Sequence, residues 1–241
     1  MSKVSFENYK HLALSKDVNN TTASGRYSFQ AEAERRILFD LLGKLDLKVS
    51  DSLLEIGCGP GNLLVPLSGF CRTSAGIDNE VSLSRLKNRF DSETEIHCFP
   101  GDFLEMNLLE TSFDKILIYG VINYLSNLQE VFVFITRALS LLTPGGRMLI
   151  GDLPNTSKKS RFLTSTEGKK ISTEWGELVR EAGDEHRIMQ VDNELITFDD
   201  AVVLDLMAFI RNKGFDSFLL PQPIDLPFGG SREDILVVAY G

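Results

Sequence analysis

Short apolar runs alternate with helix-length amphipathic stretches along most of the chain. Strand-length runs lie at Ser52–Ile56, Thr73–Ile77, Glu95–Phe99, Lys115–Tyr119 and Arg147–Ile150. Between them the apolar spacing is helical. The clearest case is Asn127–Leu142, where Leu128, Val131, Phe132, Ile135, Leu139 and Leu142 fall on one face. Pro144-Gly145-Gly146 marks the end of that helix, because neither residue type continues one. A further helix is predicted over Gln30–Leu45 from Ile37, Leu38, Leu41, Leu42 and Leu45. Strands alternating with helices predict an α/β fold with a doubly wound, mostly parallel sheet.

The ends of the chain depart from this alternation. Residues 1–30 are polar and dotted with aromatics, and read as an N-terminal arm or lid with one short helix. After Asp152 the alternation pauses: residues 153–198 read as an insertion, polar through Pro154–Gly183, with two Lys pairs and the single Trp, Trp175. An amphipathic helix follows from about Phe198 to Lys213, through Val202, Val203, Leu206, Phe209 and Ile210. Two last apolar runs, Asp216–Leu220 and Ile235–Tyr240, flank a Pro/Gly-rich turn at Pro221–Gly230. The pattern is one seven-stranded domain over residues 31–241, preceded by the arm.

Composition narrows the partners. The 241 residues carry 25 Lys and Arg against 34 Asp and Glu, a net charge of −9. Phosphate backbones and anionic membranes select clustered positive charge, so neither nucleic acid nor a membrane surface is expected as partner. No run approaches a membrane span, and no basic-then-apolar leader opens the chain, so a cytoplasmic location is expected. The three cysteines, Cys58, Cys71 and Cys98, make neither a disulfide framework nor a zinc pattern, and no metal is expected.

The strongest chemical signal is Leu53-Leu54-Glu55-Ile56-Gly57-Cys58-Gly59-Pro60-Gly61-Asn62. A strand ends in a Gly-x-Gly-x-Gly turn, at the sheet edge where open α/β folds bind ligands. Dinucleotide sites use Gly-x-Gly-x-x-Gly around a pyrophosphate, and phosphate loops require Gly-Lys-Ser/Thr. Here the third glycine comes one residue early, and Glu55 would place a carboxylate beside any diphosphate. That carboxylate suits a cationic ligand without phosphate.

These residues resemble the first motif of class I S-adenosylmethionine-dependent methyltransferases, and further landmarks of that family follow in order. Gly76-Ile77-Asp78 ends the second strand with an acid, Pro100-Gly101-Asp102-Phe103 follows the third, Phe113–Gly120 resembles the fourth-strand motif, and Leu142–Ile150 the turn and fifth strand. The resemblance covers roughly Ile37–Ile150. It implies a Rossmann-like sheet whose last strand is antiparallel, forming a hairpin with the sixth. It also implies S-adenosylmethionine as cofactor, with S-adenosylhomocysteine as product. The implied cofactor residues are Glu55, Gly57, Cys58, Gly59, Gly61, Asn62, Asp78, Asn79, Asp102, Phe103 and Tyr119. Within that set the resemblance puts Asp78 on the ribose hydroxyls and Asp102 near the adenine. The alternative for Asp102, less favoured than adenine contact, is to cap the next helix, and Cys58 reads as a small filler rather than a nucleophile.

The expected reaction is methyl transfer to the oxygen or nitrogen of a small-molecule acceptor, such as a sugar or metabolite. Tyr119-Gly120-Val121-Ile122-Asn123-Tyr124 lacks the Pro-Pro pattern of methyltransferases acting on exocyclic or amide nitrogens. Candidate bases are Asp152, just past the fifth strand, and His186 in the insertion. Two alternatives stay open: a non-catalytic S-adenosylmethionine-binding module, and a nicotinamide-dependent oxidoreductase.

Overall fold

The computed structural model describes residues 3–15, 18–90, 95–107, 110–183 and 195–241. Among these, seven strands form one sheet: β1 (Ser52–Ile56), β2 (Thr73–Asp78), β3 (Ile96–Pro100), β4 (Phe113–Tyr119), β5 (Leu142–Pro154), β6 (Asp216–Pro221) and β7 (Arg232–Val238). Their order is β3-β2-β1-β4-β5-β7-β6. Strands β1 to β5 are parallel, and β7 runs antiparallel to both β5 and β6. The helices are α1 (Lys3–Leu14), α2 (Asn20–Ala23), α3 (Ala31–Leu45), α4 (Leu64–Ser68), α5 (Glu80–Lys87), α6 (Leu128–Leu139), α7 (Thr156–Thr164), α8 (Thr166–Glu181) and α9 (Asp200–Asn212). No helix of the described residues is long and apolar enough to cross a membrane.

The two-residue period of the strands divides the core into two layers. On one side Leu54, Ile56, Ile116, Ile118, Met148 and Ile150 pack against Val131, Phe134 and Ile135 of α6 and Leu206 and Ile210 of α9. On the other, Leu53, Leu117 and Leu149 meet Ile37, Leu41 and Leu45 of α3 and the apolar faces of α4 and α5. Burial on both faces is why the central strands read as nearly continuous apolar runs. Several helices begin on a side-chain cap, which fixes where each strand-to-helix crossing ends. Asn79, Asn127, Asn155, Ser165 and Asp199 each accept a backbone N–H from the first turn of their helix.

Several boundaries differ from the sequence reading. Helix α6 stops at Leu139, and Leu142 already belongs to β5, because it pairs with Phe113 at the start of β4. Pro144 and Gly145 therefore lie within the strand, exposed where the β4–β5 pairing shifts register and a proline's missing N–H is harmless. At its other end β5 runs on to Pro154, since Leu153 and Pro154 pair with Glu233 and Arg232 of β7. The arm holds two helices and a single 3-10 turn, not one short helix, and the polar insertion folds as α7 and α8.

Candidate active site

The Gly-x-Gly-x-Gly turn leaves β1 at the carboxyl edge of the sheet, beside the ends of β2 and β4. Gly57 takes φ +78°, and a Cβ there would lie 2.4 Å from Val121, so the turn folds only with glycine at this position. Gly59 donates its N–H to Asp78 Oδ2 at 2.8 Å, which ties the turn to the end of β2. Asp78 Oδ1 accepts from both the backbone and the side-chain N–H of Asn79, each at 2.7 Å.

These elements enclose a cavity lined by Glu55, Gly57, Cys58, Gly59, Asn62, Asp78 and Tyr119. A second recess continues from it and shares Gly57, Asp78 and Val121; Gly101, Asp102, Phe103 and Phe6 line its far end. Nine of the eleven cofactor residues expected from the sequence thus meet along one groove. The other two, Gly61 and Asn79, stand behind it. Gly61 packs against Leu86, while Asn79 caps α5. Asn62 reaches the groove, but its amide is committed to the arm: Nδ2 donates to the Asn20 carbonyl and to Glu34, and Oδ1 accepts from Arg89. Asp102 Oδ1 accepts the Leu104 N–H, so it also serves its own turn.

Acid groups set the electrostatics. Glu55 is only 3% exposed. The Leu64 amide hydrogen-bonds its carboxylate, yet Oε2 has no partner. Burial above all, and then the charge of Asp78, hold the Glu55 carboxyl well above the usual carboxylate range. Burial likewise raises Asp78, against the hydrogen bonds from Gly59 and Asn79. Cys58 is a buried thiol pushed up by desolvation, which makes it a space filler, not a nucleophile. An unpartnered buried carboxylate oxygen beside a second acid fits a cationic ligand and repels a diphosphate.

The arm supplies the outer wall. Tyr9, Ala23, Ser24 and Arg26 close the groove to a cavity of about 60 Å³, so an adenosyl-sized ligand requires the arm to shift. One clamp holds α1 down. Arg85 of α5 donates to the backbone carbonyls of Ala13 at 2.7 Å and Val18 at 2.8 Å, and also to that of Ser15. Arg85→Ala is expected to speed amide exchange over residues 3–15 about 10–100-fold, equivalent to about 1.5–3 kcal/mol for charge-assisted hydrogen bonds. Stopped-flow binding should show faster cofactor entry and exit in that variant. Unchanged exchange would show that apolar packing, and not the clamp, seats the arm.

A larger cavity of about 260 Å³ adjoins the first and shares Ser24, Arg26, Tyr119, Gly120 and Tyr124 with it. Gly25, Tyr27, Asn123, Asp152, Trp175, Phe228 and Arg232 complete its lining. Arg26 and Asp152 are 7% and 6% exposed. Arg26 bridges Glu34 at 3.4 Å and Asp152 at 3.3 Å. Burial raises the Asp152 carboxyl above its ordinary range, while Arg232 and Arg26 pull it back. Asp152 thus lines the larger cavity beside Gly120 and Arg26. His186, the other candidate, lies outside the described residues. Among the described residues no group of three or more His, Cys, Asp or Glu is placed to hold a metal.

Several lining residues carried no assigned role in the sequence reading, among them Phe6, Asn123, Phe228 and Arg232. Arg232 and Phe228 come from the far end of the chain, and only the insertion of β7 beside β5 brings them here.

Residues 54–150 match the methyltransferase domain family. The malonyl-[acyl-carrier protein] O-methyltransferase of Methylovorus sp. is 25% identical over 207 residues, spanning 77% of this chain and 69% of that protein. A 23S rRNA (uracil(1939)-C(5))-methyltransferase of Legionella pneumophila is 30% identical over 95 residues, but over only 36% of this chain and 21% of that enzyme. The crystal structure of the N-methyltransferase NodS from Bradyrhizobium japonicum, solved with S-adenosyl-L-homocysteine, superposes with a TM-score of 0.62 at 16% identity, covering 98% of this chain and 99% of that one. With the glycine turn, the strand-end acids and the sheet order agreeing with that match, residues 54–150 form a methyltransferase domain of the class I S-adenosylmethionine-dependent type.

Proposed function

We propose that this enzyme transfers a methyl group from S-adenosylmethionine to a small-molecule acceptor held between the arm and the insertion. The observation that carries the reading is the shared wall of the two cavities: Tyr119, Gly120, Arg26 and Tyr124 line both. A donor in the groove and an acceptor in the larger cavity would then face one another across it. When bound, S-adenosylmethionine supplies a methyl group on a cationic sulfur that departs as a neutral thioether. Glu55 and Asp78 would hold the cofactor's polar groups, and Phe103 and Phe6 would flank its base. Holding two reactants in register can contribute as much as about 7–11 kcal/mol to such a displacement.

The size of the second cavity, about 260 Å³, supports an acceptor of one or two rings. The net charge of −9 likewise favours a small acceptor over RNA. The test is calorimetric titration with S-adenosylmethionine, S-adenosylhomocysteine and NAD. Binding of both adenosyl compounds without NAD is expected, and binding of NAD alone would overturn the reading. Asp78→Asn is expected to weaken S-adenosylmethionine by about 1.5–3 kcal/mol, the contribution of hydrogen bonds to a charged group. Unaltered affinity in the folded variant would remove Asp78 from the cofactor site.

A further inference from the structure

The larger cavity keeps hydrogen-bonding capacity of both signs unused. Arg26 Nε and Arg232 Nε are donors, Asp152 Oδ1 and Asn123 Oδ1 are acceptors, and none of the four has a partner. Arg232 Nε lies 3.8 Å from Asp152 Oδ1, too long for a hydrogen bond. Each atom is buried on a residue that lines the cavity, so a ligand reaching it would satisfy a polar group already removed from water.

Charge then selects the ligand. Two guanidiniums, Arg26 and Arg232, face two carboxylates, Glu34 and Asp152, so the cluster sums to zero. An anionic acceptor would add a third negative group, and an ammonium would meet both guanidiniums. A neutral hydroxyl uses what is there, because it accepts from an arginine N–H and donates to a carboxylate. Aromatic rings line another part of the wall: Trp175 lies 5.6 Å from Tyr27 and 5.1 Å from Phe228, centroid to centroid. Such walls suit a flat or ring-shaped body.

The backbone aims one of these groups at the junction of the cavities. Asp152 adopts φ +58°, in the left-handed region, and the β5–β7 pairing slips between Ile150 and Leu153. The bulge brings its carboxylate against Gly120: a Cβ at Gly120 would lie 3.3 Å from Asp152 Oδ2. Gly120 lines both cavities. A strained acid at a site boundary is a recurrent functional arrangement.

We infer that the acceptor is a neutral, hydroxyl-bearing ring compound and that Asp152 is the catalytic base that takes its proton, an inference that rests on the methyl-transfer reading above. The acceptor oxygen forms its bond to the methyl carbon as the carbon–sulfur bond breaks, and the bonding pair stays on sulfur. The hydroxyl proton passes to Asp152 and then to solvent, leaving a methyl ether.

Two matched sets of probes test this: tyrosol, tyramine and 4-hydroxyphenylacetate, and methyl glucoside, glucosamine and glucuronate. Binding is measured calorimetrically on the enzyme saturated with S-adenosylhomocysteine, and transfer is followed with methyl-labelled cofactor. In at least one set the neutral member is expected to bind at least about tenfold more tightly than its charged counterparts and to be methylated on oxygen. Asp152→Asn, whose side chain tolerates the left-handed backbone, should leave cofactor affinity within about twofold while lowering kcat about 100-fold or more. Arg232→Gln should weaken the neutral probe about tenfold and leave cofactor affinity unchanged. A charged member bound most tightly, transfer to nitrogen or carboxylate, no neutral probe bound in either set, or an undiminished kcat in Asp152→Asn would each overturn the inference. Failure of the wild-type protein to bind S-adenosylmethionine would instead overturn the methyl-transfer reading itself.

Discussion

Asp234→Ala is expected to lower the melting temperature by about 6–20 °C, from a loss of about 3–5 kcal/mol when one member of a buried ion pair is removed. Asp234 is 0% exposed. Its Oδ2 stands 2.6 Å from Lys44 Nζ, and its Oδ1 accepts from the Asp152 amide at 2.9 Å and from Gln222 at 2.8 Å. The substitution thus orphans the amide that pins the β5 bulge. Lys44 keeps Asp40 at 2.6 Å and the Pro221 carbonyl at 2.9 Å, which places the loss toward the lower end of the range. Asp234→Asn preserves one acceptor and most of the shape, so it should fall between the two. Thermal unfolding followed by circular dichroism reads all three proteins. An unchanged midpoint in Asp234→Ala would mean that desolvating the pair costs as much as its attraction returns.

Glu55→Gln should separate stability from function. Burial and the neighbouring Asp78 keep the Glu55 carboxyl protonated to a higher pH in the folded protein than in the unfolded chain. Between those two pKa values the native state binds more protons, so stability falls as pH rises, and the full penalty is present above the folded value. Glutamine removes the ionisable group. The variant should melt higher than wild type at neutral pH, with the advantage shrinking as pH falls and vanishing below the ordinary carboxylate range near 4.5. Cofactor binding should move the other way. A cationic cofactor selects the ionised Glu55, so wild-type binding releases a proton and tightens as pH rises through the folded value, while the variant binds about 10–100-fold more weakly without that dependence. Titration calorimetry in two buffers of different ionisation enthalpy counts the released proton. Equal proton release by wild type and variant would assign the linkage to another group.

The parallel half of the fold was legible because both core layers are built from short-range patterns. Alternation along β1, β4 and β5 and the apolar face of α6 are written within a few residues of each other. The insertion was harder to read. Helix α8 presents only Gly168, Ile171, Trp175 and Val179 to the rest of the protein, a stripe one residue wide at intervals of three and four, among charged neighbours. A window average over such a segment registers polarity, whereas the spacing alone would have shown the helix. The start of β7 was missed for a related reason. Arg232, Glu233 and Asp234 are polar, yet the strand begins with them because Asn155 satisfies Glu233, and Lys44 and Gln222 satisfy Asp234. The cofactor groove was readable because its residues cluster at four strand ends. The larger cavity was legible only in part: Asp152, the arm and the insertion were singled out, but no local motif connects residues 26, 123, 152, 175 and 232.

The position of β7 bears on the order in which the molecule is completed. The last strand in the chain lies between β5 and β6, so β6 has no neighbour on its inner edge until β7 arrives. Every lining residue of the groove lies at or before Phe134, but the larger cavity waits for Phe228 and Arg232. During folding the groove can mature first, while the neighbouring cavity forms only once the most sequence-distant pairing has closed. Refolding should therefore pass through a species that already binds the donor and has no place yet for an acceptor.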